Sequence, residues 1–494
     1  MLLHFRLFLG VLGLFFLVSC SPSKSQNSDD VATFDDDFNL QDVEIVNDYD
    51  DASEQDTDSD TDFENNDSDS EDEKTDNEIF EETEPINGYK RCYDKIPAGD
   101  YEGFFANPYI ESSIKLGLGY GYYDDYEIKE EDLAKVQEIT VYSQDLRGIE
   151  KLVNLKKIQI SGENVYDFTP LAGLTKLKEL ILYSEYMTCL DGSLSLLNDL
   201  ETLEIRETKL KDVSPIERLE NLTSLDLDKN QIEFLPENIG NLQKLEYLTF
   251  SYNNVQDIEG IKSLTNLQRL GFTHNRIENI LPIRNMTKLI VINFSNNNIA
   301  DISAVENFTE LESLGANNNK IEILPDFQHL GKLQRIYLDY NNISSLPNLK
   351  GLDSLEEMWL AYNNLNDEEF GKLDELEHAG FLDVSFNKIT KVSILKNLKS
   401  LKYMLLVGNE VSNLSGFADN ESFPALKQLD LQFNKIENAE PLRERKKLSR
   451  LSIYNNCIKD ISPLKELQEN GTHVSGIDKQ LESCDDTTTL GDGE

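Results

Sequence analysis

Between residues 136 and 469 apolar and polar positions repeat in a unit of about 22 residues. Leu222, Leu225, Leu227, Asn230 and Ile232 of LTSLDLDKNQI return as Leu333, Ile336, Leu338, Asn341 and Ile343 of LQRIYLDYNNI. They return again as Leu426, Leu429, Leu431, Asn434 and Ile436 of LKQLDLQFNKI. The Asn recurs at 230, 253, 275, 297, 319, 341, 363, 387, 409, 434 and 456; eight of these ten intervals are 22 or 23 residues, and the others are 24 and 25. The frame extends upstream to Val136, Leu155, Leu177 and Leu200, where Gln144, Glu163, Glu185 and Thr208 replace the Asn. About fifteen coils cover two-thirds of the chain. Within each unit the alternation x-L-x-L-x has the period of a strand buried on one face. One such strand per coil predicts a stacked parallel sheet, since no coil can bury its own apolar face. The Asn falls where the chain turns out of the strand, and its amide can satisfy backbone groups there.

The unit LxxLxLxxNxI is the leucine-rich-repeat signature. The second half of some coils is more specific. Phe168-Thr169-Pro170-Leu171, Val213-Ser214-Pro215-Ile216 and Ile461-Ser462-Pro463-Leu464 resemble the element of internalin-type bacterial repeats, and Leu235–Leu242 (LPENIGNL) resembles the LPxxIGxL type. Pro in these elements disfavours a regular helix and favours a short 3-10 turn. Ile110–Leu116 and Ile128–Val136 look like the helical cap that precedes such arrays. The resemblance implies an α/β solenoid: a horseshoe with a parallel β concave face, a convex side of 3-10 turns and loops, and a helical N-terminal cap over residues 89–135. Residues 470–494 remain for a C-terminal cap and tail. It also implies a binding scaffold, often for a protein, without naming the ligand.

The chain starts with Arg6, an apolar run from Leu7 to Val18, then Ser19-Cys20. The run is too short for a permanent membrane helix and suits a signal peptide over residues 1–19. Leu17-Val18-Ser19-Cys20 resembles the lipobox of bacterial lipoproteins, which implies lipidation of Cys20 and anchoring through an N-terminal lipid. Each buried CH₂ of such an anchor contributes about 0.8 kcal/mol. Ser21 rather than Asp follows the Cys, which in a double-membraned cell favours the outer membrane. The expected place is the bacterial cell envelope, either surface-exposed or periplasmic. Residues 20–88 then read as an acidic, disordered tether: Asp29–Glu84 holds 26 acidic residues and one Lys. Asp56–Glu73 has one aromatic and no aliphatic residue, too little apolar surface to offset its ordering entropy.

Over 494 residues, 46 Lys+Arg stand against 92 Asp+Glu, a net charge of −46. Such acidity excludes nucleic-acid binding through phosphates, which needs clustered cations. No hydrolase, zinc-protease or P-loop motif occurs, and only about 25 residues follow the last coil, so the chain reads as a non-enzyme without cofactor or metal. After Cys20, Cys92, Cys189, Cys457 and Cys484 allow three disulfide connectivities or free thiols. A Cys457–Cys484 bridge would pin the C-terminal cap, and a Cys92–Cys189 bridge the other end.

The repeat frame also assigns the concave face. Tyr337, Tyr340, Trp359, Tyr362, Phe381, Phe386, Tyr403, Phe433 and Tyr454 all fall on outward positions of the C-terminal coils. Exposed aromatic residues are the usual anchors of protein interfaces. Asp226, Asp228, Asp339, Asp383 and Asp430 are expected to add negative charge, with Arg335 and Arg450 as exceptions. The expected function is therefore non-catalytic recognition of a protein ligand, in adhesion or partner binding. An envelope scaffold is one alternative. A carbohydrate-binding module is another, with Asp339, Asp383 and Gln432 as its polar groups.

Overall fold

The computed structural model describes residues 79–82, 84–92, 95–98, 107–121, 124–162, 165, 167–419 and 421–484. The signal peptide over 1–19, the lipidation site Cys20 and the tether through residue 78 lie outside the described residues.

Sixteen parallel strands, from Glu138–Val141 to His473–Ser475, form one unclosed sheet in strict chain order. The leucine-rich-repeat solenoid implied by the pattern is the observed fold. Neighbouring strands keep one register, so Arg335, Ile336 and Tyr337 face Glu357, Met358 and Trp359. Leu225, Ile336, Met358 and Leu429 point inward and are buried, as are their equivalents in every coil. In the Asn-less coils the strands run to four or five residues (Lys157–Ser161, Glu179–Tyr183, Thr202–Arg206); from Ser224–Asp226 onward they are three.

The Asn ladder accounts for the shorter strands. Asn341 Nδ2 donates to Leu338 O (3.1 Å) in its own coil and to Ala316 O (3.0 Å) in the preceding one, while its Oδ1 accepts from Ile321 N (3.1 Å). The side chain thus takes up carbonyls that would otherwise continue the sheet, and the backbone turns outward. Asn275, Asn363 and Asn456 repeat the arrangement.

On the convex side, Pro lies in the first turn of the 3-10 segments Thr169–Leu171, Ser214–Arg218 and Leu281–Ile283, where its missing N–H costs no internal bond. The 24-residue interval after Asn363 makes room for an α-helix, Asp367–Lys372, capped by the Asn366 side chain accepting from Glu368 N and Glu369 N. The 25-residue interval after Asn409 is closed by Arg445. This buried guanidinium donates to Phe417 O (2.6 Å) and lies 5.7 Å from the Phe417 and Phe423 rings.

Both ends of the sheet are covered. The helix Pro108–Gly117, capped by the Asn107 side chain accepting from Tyr109 N (2.9 Å), packs on the first strand and buries Ile110 and Ile114. Residues 84–92 run over the 3-10 turns Gly192–Leu196 and Ser214–Arg218. Asn87 Nδ2 donates to Ser195 Oγ (2.9 Å), Tyr89 OH donates to Glu217 (2.7 Å), and Arg91 pairs with Asp191 (3.0 Å) and Asp167 (3.1 Å). Cys92 is disulfide-bonded to Cys189, with Cα atoms 5.6 Å apart. Gly192 allows the close approach, because a Cβ there would sit 2.8 Å from Tyr89 O. Residue 88 is therefore too late a boundary for the tether: Ile79–Glu82 already pairs antiparallel with Lys95–Ala98. The short apolar pair Ile79-Phe80 is masked in composition by the acids around it.

At the other end the sheet extends one strand beyond the fifteen coils, into residues assigned to the cap. In this strand only Val474 is a buried apolar residue; the register places Gly471 where the preceding coil has Leu448, and the buried Thr472 donates to Leu448 O (2.8 Å). Cys457 is disulfide-bonded to Cys484.

Candidate functional site

The outward positions of the C-terminal coils form four rows across the strands. The first row holds Arg335, Glu357, Phe381 and Tyr403, and the second Tyr337, Trp359, Asp383 and Leu405. Two residues further along each coil, the third row holds Asp339, Ala361, Ser385 and Val407. The fourth is the residue before each ladder position: Tyr340, Tyr362, Phe386 and Gly408.

Seven of the nine predicted aromatic residues fall into two continuous runs of ring contacts. Along the first two rows, ring centroids are 6.1 Å apart for Tyr337–Trp359, 4.3 Å for Trp359–Phe381 and 6.4 Å for Phe381–Tyr403. Along the fourth row, Tyr340–Tyr362 and Tyr362–Phe386 stack at 4.2 and 4.1 Å. Tyr340 is 51 % and Tyr362 38 % exposed; Tyr337, Trp359, Phe381, Phe386 and Tyr403 are half-buried. Phe433 is separated from Phe386 by Gly408, where a Cβ would come within 2.5 Å of the Phe386 ring. Tyr454 stands apart, covered by Gly476 and by Lys479, whose Nζ lies 5.3 Å from the ring centre. The C-terminal cap thus removes Tyr454 from the open strip.

The fourth row has a conformational cost. The turn out of the strand holds its residue in the left-handed region, with φ of 56° at Tyr340, 53° at Tyr362 and 53° at Phe386. L-residues pay roughly 1–2 kcal/mol there, and Asn and Gly adopt it most readily. Other coils place Asn296, Asn318, Asn455 or Gly408 at this position. The aromatic side chains are therefore not what the turn itself favours.

The carboxylates differ from the expectation of exposed flanking charge. Asp226 is 1 % and Asp383 7 % exposed; Asp430 is buried and Asp339 half-buried. Each is turned onto its own strand end or the next coil. Asp339 Oδ1 accepts from Ala361 N (2.7 Å), Asp383 Oδ1 from Ser385 N (2.8 Å), and Asp228 Oδ1 from Ser251 N (2.6 Å). Asp228 and Asp339, together with Ser251, Ser295, Asn317 and Ser385, accept from the third-row N–H of the following coil and form a second ladder beside the Asn one. Only knowledge of the neighbouring coil shows this, although the recurrence of short polar residues in the third row was a usable signal. Burial, with Asp383 beside it, pushes Asp339 up to about 7. Burial pushes Asp430 up to about 6 and also raises Asp383. Burial and Asp228 push Asp226 up to about 7 against the pull of Arg206, with which it forms an ion pair.

Tyr252 and His274 stack at 4.1 Å, and burial lowers the His274 pKa. Among the described residues, no group of three His, Cys, Asp or Glu side chains is gathered to hold a metal ion.

Comparison with known proteins agrees with this architecture. Family models described as leucine rich repeat and as leucine rich repeats in two copies match residues 220–277 and 287–329. No curated protein matches the chain. Among solved structures, an internalin from Listeria monocytogenes shares 26% identity over 75% of this chain and 95% of its own, with a TM-score of 0.54. A leucine-rich-repeat protein of Leptospira interrogans shares 22% identity, covering 70% of this chain and 97% of its own, with a TM-score of 0.59. The plant peptide hormone receptor RGFR1, solved in complex with RGF2, shares 21% over 71% of this chain and 64% of its own, with a TM-score of 0.56. The sixteen-strand solenoid, its Pro-containing convex turns and these matches together show a leucine-rich-repeat fold that is similar to the internalins.

Proposed function

We propose that this is a bacterial lipoprotein, held in the cell envelope by lipid on Cys20, that binds a protein partner through the concave face of the coils from Leu333 to Leu401. The observation that carries the reading is the pair of open ring stacks, with Tyr340 and Tyr362 left exposed at a position where the turn favours Asn or Gly. Exposed rings that are already ordered by stacking lose little entropy on binding, which suits them as interface anchors. A sugar site draws less support. Its proposed polar groups are engaged internally: Asp339 with Ala361 N, Asp383 with Ser385 N, and Gln432 Nε2 with Asp430 Oδ2 (2.9 Å).

Two experiments test the proposal. In affinity capture from envelope and host-surface fractions, the double variant Trp359→Ala/Tyr362→Ala should lose the partner that the wild type retains, while still unfolding in one cooperative transition at a melting temperature lowered only by the lost ring contacts. Equal retention by both would remove the concave face from the function. Protease shaving of intact cells should release a fragment that retains residues 79–494, because the cut falls ahead of the paired strand Ile79–Glu82. Release only after the outer membrane is opened would instead place the array in the periplasm and replace adhesion by an envelope partner.

A further inference from the structure

Between the two ring stacks runs a trough floored by the third row. Ala361 and Ser385 are buried there and too small to fill it. Trp359 on one side and Tyr362 on the other are three residues apart, so their Cα atoms stand at most about 10 Å apart. Trp359 stacks on Phe381, and Tyr362 stacks on both Tyr340 and Phe386, so neighbours cover these ring faces and it is ring edges that remain to line the trough; Tyr337 and Tyr403 are tilted against their neighbours. Such a space accepts a narrow aliphatic stem more readily than a second ring.

Among the described residues, the carboxylates at the floor form no ion pair. Asp339 lies in the third row beside Ala361, and Asp383 in the second row is the registered partner of Trp359. Asp383 is the charged group that acts on both Asp339 and Asp430, and like them it is negative. Arg335 stands in the first row, where it acts on Tyr337 together with Glu357. At the other end of the same face the corresponding second-row acid, Asp226, has its cation within the chain, in Arg206.

We infer that this trough seats a basic side chain of the partner, its aliphatic stem between the Trp359 and Tyr362 rows and its cationic head against Asp339 and Asp383. Lys and Arg match both features, an apolar stem and a terminal charge. The inference rests on the concave-face reading above and specifies the partner's chemistry. A cation there favours the ionised carboxylates, which burial otherwise raises, so binding releases protons and strengthens with rising pH.

The chain has one Trp, and it lies in this trough, so its emission reports occupancy directly. The probe is hexa-arginine, with hexacitrulline as the neutral isostere, titrated into the full chain at physiological ionic strength. Peptide held elsewhere, including on the Trp-free acidic segment, leaves Trp359 unaltered. Hexa-arginine should change Trp359 emission saturably, with hexacitrulline at least about tenfold weaker. Affinity should be at least about threefold higher at pH 8 than at pH 5.5. The double variant Asp339→Asn/Asp383→Asn keeps the acceptors for Ala361 N and Ser385 N, and should bind hexa-arginine at least about tenfold more weakly with unchanged melting. Equal responses to both peptides, an unaffected double variant, or a silent Trp359 would each overturn the inference. Equal responses would leave the concave face as a binding site for an apolar segment. Failure of the wider reading shows separately, as retention of the captured partner by Trp359→Ala/Tyr362→Ala.

Discussion

The coils from Leu222 to Leu311 and those from Leu333 to Leu401 share one sheet, one register and one Asn ladder, yet present different surfaces. In the first group the left-handed position holds Lys229, Tyr252, His274, Asn296 and Asn318; in the second, Tyr340, Tyr362, Phe386 and Gly408. The second row changes from Asp226, Thr249, Gly271, Asn293 and Gly315 to Tyr337, Trp359, Asp383 and Leu405. What the groups share is what the solenoid needs: inward Leu and Ile, and Asn at the turn. What differs is free of that need, so it is where binding is to be sought.

The shared part should fail equally in both groups. Asn275→Ala removes the donor to Phe250 O and Phe272 O and the acceptor for Val255 N; Asn363→Ala removes the same set at Leu338 O, Leu360 O and Ile343 N. Orphaned buried backbone groups cost about 1–3 kcal/mol each, so each variant should lose about 3 kcal/mol in urea unfolding. Values differing by more than about 1 kcal/mol would show that the ladder is not equivalent along the sheet.

The buried acids should separate the groups. At pH 8, Asp226→Asn leaves Arg206, which is itself partly exposed, without its closest partner, and should cost about 2 kcal/mol. Asp339→Asn removes a buried charge that burial and Asp383 disfavour, while keeping an acceptor for Ala361 N. It should cost nothing or stabilise at the same pH. Equal losses in the two variants would mean that Asp339, too, has a cationic partner within the chain.

That contrast extends to pH. Asp339 and Asp430 are pushed up to about 7 and about 6 in the folded protein, above the ordinary Asp value of about 4. A raised folded value makes the folded state the stronger proton binder. Its contribution is complete below about pH 4 and is lost as the pH rises through 6 and 7. Melting temperature should therefore fall between pH 5 and pH 8, and Asp339→Asn should flatten the fall. The comparison of variants matters more than the wild-type slope, because general repulsion at a net charge of −46 has the same sign.

These contrasts also mark what the sequence could disclose. The ladder Asn fixes the phase of every coil, so the side of each of the nine aromatic residues followed from counting, and seven of them form the two stacks. The burial of the acids did not follow from their outward positions, because Asp339 turns onto the next coil's backbone at Ala361 N and Asp383 onto Ser385 N of its own coil. The strap over residues 84–92 has no period at all, and its contacts with Ser195 and Glu217 span more than a hundred residues. The last strand was missed because Val474 is its one buried apolar residue.

The smallest expected effect bears most directly on the aromatic rows. Tyr362→Asn places in the left-handed turn the residue type that Asn318 supplies two coils earlier. Relief of backbone strain should contribute roughly 1–2 kcal/mol. Against it stands the loss of stacking on Tyr340 and Phe386, about 0.5–1.5 kcal/mol for each pair. The two nearly cancel, so stability should change by less than about 1 kcal/mol while partner capture declines. If melting instead dropped by the amount of a ladder variant, Tyr362 would be part of what holds the coils together. The rings would then be the solenoid's own cover, and the difference between the two groups of coils would lose its functional meaning.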